Sequence, residues 1–142
     1  MADLVDTNVL VYRYDERFPD KQARSIEFLK AGIEEGTLRL PHQAIVEFMA
    51  VVTRPGPDGR AILPAEEARR EVEELLVEIP VLYPKEEIVR IALWGSAAYG
   101  MSWCDAHLWA YAEFFGLPRI WSEDFQHDRQ YGTVRVTNPF LS

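Results

Sequence analysis

Hydrophobic positions change their period several times along the chain, and each change marks an element. Ala2 to Val5 is apolar apart from Asp3 and reads as the end of a buried strand that stops at a turn, Asp6-Thr7-Asn8. From Asp20 the spacing becomes helical, with Ala23, Ile26, Leu29 and Ile33 on one stripe and Gly36 placed as a C-terminal cap. A strand at Leu38-Arg39-Leu40 ends at Pro41. Ala44, Ile45, Phe48, Met49 and Val52 then form a second helical stripe, which carries Glu47 and stops before Pro55. Pro55 to Arg60, with two Pro and two Gly in six positions, is a turn or loop. Pro64 suits the first position of a helix, and Ala65 to Glu78 sets a charged face in front of Val72, Leu75, Leu76 and Ile79. A short strand at Val81 to Tyr83, a helix from Lys85 to Tyr99 and another from Ser102 to Phe115, closed by Gly116, follow. Arg119 to Ser122 and Val134 to Thr137 are the last strands.

Strands alternating with helices predict βαβ units. The expected fold is α/β, a central parallel sheet covered by helices on both faces, as one domain over residues 1–142. Ligands of such sheets bind beyond the carboxyl ends of the strands, so chemistry is sought there.

Composition narrows the classes. At 48% hydrophobic and 27% charged, the 142 residues exclude intrinsic disorder and collagen-like repeats. No apolar run approaches the roughly 18 residues of a membrane span. The opening Met-Ala-Asp-Leu-Val-Asp lacks the basic and apolar regions of a secretory signal, and Cys104 is the one cysteine, so a cytoplasmic protein away from membranes is expected. The net charge of -8 argues against a nucleic-acid partner held by charge alone.

Four acids stand out by position. Asp6 follows the first strand and Asp124 follows the strand from Arg119 to Ser122, so both project from the carboxyl edge of the sheet. Glu47 lies between Ile45 and Phe48 on an apolar helix, and Asp105 opens a helix that continues through Ala106, Leu108, Trp109 and Ala112. Each has a plain structural reading: Asp6 as a turn or cap residue, Asp105 as part of a capping box with Ser102, Glu47 as a partly exposed helical residue, Asp124 as a turn acid beside Glu123 and Asp128. Together they mean more. Two carboxylates about 5 Å apart repel by roughly 3 kcal/mol at an effective dielectric near 20, so four in one crevice call for a divalent cation. An all-oxygen set selects Mg²⁺ or Mn²⁺ over zinc, and such a site suits phosphodiester hydrolysis.

The order of these motifs resembles the PIN domain, and specifically the VapC-type toxins of toxin-antitoxin pairs. The resemblance rests on Asp6-Thr7-Asn8-Val9-Leu10, Glu47-Phe48 with Thr53-Arg54-Pro55, Asp105-Ala106-His107-Leu108, Ser122-Glu123-Asp124-Phe125-Gln126 and Asn138-Pro139-Phe140, and it covers essentially the whole chain. It implies an α/β/α sandwich and a Mg²⁺- or Mn²⁺-dependent endoribonuclease that cuts tRNA or rRNA. Asp6, Glu47, Asp105 and Asp124 become the metal-binding catalytic acids, with Ser122 beside the last of them and Asn8 as auxiliary residues. It also implies a homodimer, silenced by a small cognate antitoxin. Two positions depart from the family pattern: Asp3, where an apolar strand residue is usual, and Asp128, where related sequences often carry Gly and where an outer carboxylate would be added.

Setting the four ligands aside reduces the net charge from -8 to -4, which two divalent ions cancel formally. Among the 12 arginines, Arg13, Arg54, Arg60 and Arg129 follow segments expected to end near the crevice and are candidates for RNA phosphate contacts. Trp94, Trp103, Trp109 and Trp121 could stack on bases, but their spacing favours the core. Two other functions compete. A phosphatase of the haloacid-dehalogenase type needs a second acid two residues after the first, where this chain has Asn8. A degenerate PIN fold kept as a binding or assembly module would be expected to have lost acids, and all four are present.

Overall fold

The structure is a computed structural model in which residues 1–141 are described. Six strands form one sheet in the order β3-β2-β1-β4-β6-β5: β1 Asp3–Val5, β2 Leu38–Pro41, β3 Val81–Leu82, β4 Arg119–Trp121, β5 Gln130–Tyr131 and β6 Val134–Thr137. All neighbours pair in parallel except β5 and β6, an antiparallel edge that the sequence pattern did not announce. The helices are α1 Thr7–Tyr12, α2 Pro19–Glu35, α3 His42–Thr53, α4 Ala65–Glu78, α5 Glu86–Tyr99 and α6 Trp103–Phe115.

Alternation along the central strand divides the core in two. Leu4 faces a cluster built from α5, α6 and the strands around Ile120 and Val136, while Val5 faces a cluster built from α1 to α4. Both residues are fully buried, which is why this strand reads as an uninterrupted apolar run from Leu4. Asp3 does not disturb it, because its carboxylate accepts the Trp121 indole N–H at 3.1 Å on the neighbouring strand.

Several sequence expectations need correction. The first strand ends not in a loose turn but in α1, with Asp6 as its N-cap accepting the Thr7 amide. On α2 the buried face is Ser25, Leu29 and Gly32, and Ile26 points outward. Apolarity misses this stripe because Ser25 is satisfied by donating to the Val9 carbonyl and Gly32 lies under Leu38. Of the tryptophans, Trp109 is core and Trp121 partly buried, but Trp94 and Trp103 are exposed. Trp94 caps Trp109 from outside, with ring centroids 6.0 Å apart, and Trp103 lies edge-on to His107.

Candidate active site

The carboxyl ends of β1 and β4 are adjacent, since Val5 pairs with Trp121, and the chain leaves both on the same side. This register brings Asp6 and Ser122 together: the Ser122 hydroxyl donates to Asp6 Oδ2 at 2.6 Å, across 116 residues of chain. The same hydroxyl accepts the Asp124 amide at 3.1 Å, so one serine fixes both acids that end these strands. Asn8 Nδ2 donates to Asp6 Oδ2 at 3.2 Å and approaches the Ser122 hydroxyl at 3.4 Å. These contacts settle the orientation of the Asn8 amide and leave its Oδ1 buried without a donor among the described residues.

Glu47 reaches the site from α3. Its carboxylate accepts the Thr7 hydroxyl at 2.7 Å and Gln43 Nε2 at 3.1 Å. Gln43 also donates to the Cys104 carbonyl at 3.1 Å, tying Glu47 to the start of α6 and hence to Asp105. Neither Thr7 nor Gln43 was identified from sequence. Gln43 had a signal, lying four residues before Glu47 on the same helical face. The Thr7 contact spans 40 residues and had none.

A crevice of about 320 Å³ is lined by Asp6, Asn8, Glu47 and Asp124 together with Val11, Tyr12, Phe18, Val51 and Ile62. Burial pushes the Asp6 carboxyl up to about 7, and the charges of Asp124 and Glu47 push the same way, against hydrogen bonds from Ser122 and the Thr7 amide. Asp105 is half-buried and its carboxyl is also raised, first by burial and then by Asp124 and Glu47, while Ser102 lowers it. It stands beside the crevice rather than in its lining. The helix cap at this end is made by the Ser102 hydroxyl accepting the Asp105 amide at 3.2 Å, so the serine rather than the carboxylate does the capping.

The donor set fits a hard cation in its chemistry: every group is an oxygen, Asp6 is held where its charge is disfavoured, and Asn8 Oδ1 has no donor. Among the described residues, no three Asp, Glu, His or Cys side chains already stand close enough to ligate one ion. Glu47 is turned onto Thr7 and Gln43 instead, and only these two hydrogen bonds hold it there.

The arginines separate into two groups. Arg13, Arg54 and Arg60 line a neighbouring cavity of about 660 Å³, with Arg13 also 4.0 Å from Glu78. Arg129 lines neither space; its guanidinium lies over the Tyr131 ring at 4.6 Å and reaches Gln126, contrary to the expectation that it borders the crevice. Asp128 is likewise outside, beside His127 at 3.4 Å, and supplies no outer carboxylate to the crevice.

A parallel sheet between two helical layers, with acids gathered where its central strands end, defines the class of the molecule. A family model of the PIN domain matches residues 4–132, and the chain belongs to that family. Solved structures agree on the fold at low identity. A toxin-antitoxin complex from Klebsiella pneumoniae superposes with a TM-score of 0.68 at 14% identity, covering 97% of this chain and 98% of that one. VapBC2 from Rickettsia felis, bound to a DNA fragment from their promoter, gives 0.69 at 12%, with 97% and 98% covered. VapC20 of Mycobacterium tuberculosis, a sarcin-ricin loop cleaving toxin, gives 0.61 at 12%, with 87% and 90% covered. No curated protein sequence matches the chain.

Proposed function

We propose that this PIN domain is a Mg²⁺- or Mn²⁺-dependent endoribonuclease, acting as one domain and as the cytoplasmic toxin of a type II toxin-antitoxin pair. Its substrate is tRNA or rRNA, and a cognate antitoxin restrains a homodimer. The observation that carries the reading is the Asp6 carboxyl, buried, pushed up to about 7, and flanked by Glu47 and Asp124 in one crevice. Burial and the like charges of Asp124 and Glu47 disfavour the carboxylate there, and a bound cation would relieve both. The solved toxins with this fold support the substrate class and the antitoxin.

Asp6, Glu47, Asp105 and Asp124 would hold the metal. Such an ion supplies Lewis-acid stabilisation of the attacked phosphate and makes water a better nucleophile at neutral pH. Ser122 and Asn8 orient Asp6, Ser122 also fixes the backbone of Asp124, and Gln43 sets the distance from Glu47 to the Asp105 helix. For Glu47 to take part, its carboxylate must leave Thr7, a side-chain rotation that costs two hydrogen bonds of about 1 kcal/mol each. Arg13, Arg54 and Arg60 are placed to follow an RNA backbone away from the acids, whereas Arg129 is remote from both cavities.

The absence of a ready-made three-ligand cluster among the described residues favours one rival, a PIN fold kept as a binding module. Purified protein decides between them. Structured RNA should be cut only with Mg²⁺ or Mn²⁺, and Asp6→Asn should abolish cutting with the fold intact by circular dichroism. Unimpaired cutting by Asp6→Asn, or none by the wild type with any divalent ion, would refute the proposal.

A further inference from the structure

The crevice continues past its acids. Asp15, Arg17, Val51 and Ile62 line both it and the larger cavity, and among the described residues Arg17 is the one cation in the crevice lining. Asp15 is 3% exposed, yet every partner of its carboxylate belongs to Arg17: the amide at 3.2 Å, and Nε and Nη2 at 2.9 Å each. Arg17 itself is largely exposed, and ion pairs of that kind add little to stability. What the fork achieves is direction. It locks the guanidinium plane and leaves Nη1, with two N–H donors, without a partner among the described residues.

The next residue is equally out of character. Phe18 occupies the N-cap of α2, where Ser, Thr, Asp or Asn would bond the helix end, and makes no such bond. Phe18 is 45% exposed and borders the crevice, and its ring stands edge-on to Tyr12 at 5.6 Å and lies 5.7 Å from the Arg17 guanidinium. A poor cap and a buried acid serving an exposed arginine are local costs at adjacent positions, and both are explained if the pair meets a ligand.

We propose that Arg17 and Phe18 form a nucleotide subsite beside the acids, with Arg17 donating to the phosphate next to the scissile one and Phe18 stacking the unpaired base attached to it. The inference rests on the ribonuclease reading of the crevice and adds a requirement to it: the RNA is single-stranded at that step, because a base paired in a helix cannot reach an aromatic face. Any base has a π-face, so the subsite demands exposure rather than sequence. Asp15 cancels the net charge of Arg17, and Arg17 therefore acts by directed hydrogen bonds at contact.

The test is a set of short single-stranded RNAs with one abasic nucleotide walked across the cleaved bond, assayed with Mn²⁺. For the wild type, one flanking position should lower kcat/KM about tenfold when its base is missing, as expected for a lost stacking contact. Phe18→Ala should cut the intact RNA about tenfold less well and show no further loss with the abasic one. Arg17→Gln should raise KM about tenfold with kcat within about twofold, and Arg17→Lys should not restore it, since a single ammonium cannot replace the fork. A flat abasic profile with the wild type, or a full abasic penalty in Phe18→Ala, overturns the subsite, and neither result depends on how Arg17 variants fold. Calorimetric Mn²⁺ binding without RNA should be unchanged in all three variants. Loss of Mn²⁺ binding by the wild type would instead remove the ribonuclease reading, and the subsite with it.

Discussion

Asp6 carries two loads, as the N-cap of α1 and as the most perturbed acid of the crevice. Its folded value of about 7 stands above the ordinary 3.8, so between those limits the native state binds more protons than the unfolded chain. Stability in chelator should therefore fall as pH rises from about 4 to 7 and level off above, by up to about 4 kcal/mol. Asp6→Asn should melt higher than the wild type at pH 8 in chelator, with the difference vanishing near pH 4; thermal melts at both pH values check it. Asp105 answers a separate question. Because the Ser102 hydroxyl makes the cap, Asp105→Asn should hold or gain stability without metal, while Ser102→Ala should lose about 1 kcal/mol in denaturant titration. Strand ends are local signals and single out Asp6 and Asp124 in the sequence, whereas Asn8 and Ser122 enter only through the resemblance to the PIN family. Sequence reasoning passed over Thr7 and Gln43 because a neutral side chain has no charge to explain, and their partners are set by packing.

Between elements, α5 packs tightly against α6 at Gly95. A Cβ on Gly95 would run into the Trp109 ring, and that ring is held by its indole N–H on the Tyr131 carbonyl at 3.0 Å. Gly95→Ala should cost about 1–3 kcal/mol or more by overpacking, and Gly32→Ala, whose Cβ would meet Cγ and Cδ1 of the buried Leu38 alike, should cost a similar amount. Chemical denaturation of the two variants gives the comparison. The segment after β4 contains another constraint: Asp128 has φ 60°, in the left-handed region that favours glycine. Asp128→Gly should gain a few tenths to about 1 kcal/mol and leave RNA cleavage unchanged. The limits of α2 to α6 and the Gly36 cap were legible from sequence, as caps and prolines act locally, but α1 was not. The phase of α2 and the antiparallel β5 edge were not, since Ser25, Gly32 and Gln130 are explained only by what packs against them.

At the scale of the molecule, the sheet order explains why one end of the fold carries the chemistry. Placing β4 against β1 joins acids that lie far apart in the chain, and the helices on either face bring Glu47 and Asp105 to the same edge. If that edge holds a divalent ion, the whole domain should be stabilised by mass action, by about 2.7 kcal/mol at a hundredfold excess over Kd. Scanning calorimetry with Mn²⁺ should show this gain in the wild type and lose most of it in Asp6→Asn.

The joining of β1 to β4 also has a consequence in time. Asp6 emerges early in synthesis, but the serine that holds it is made 116 residues later. A nascent chain that has not reached Ser122 therefore lacks the partner that holds Asp6, and the crevice is completed only after β4 has been made and has paired with β1.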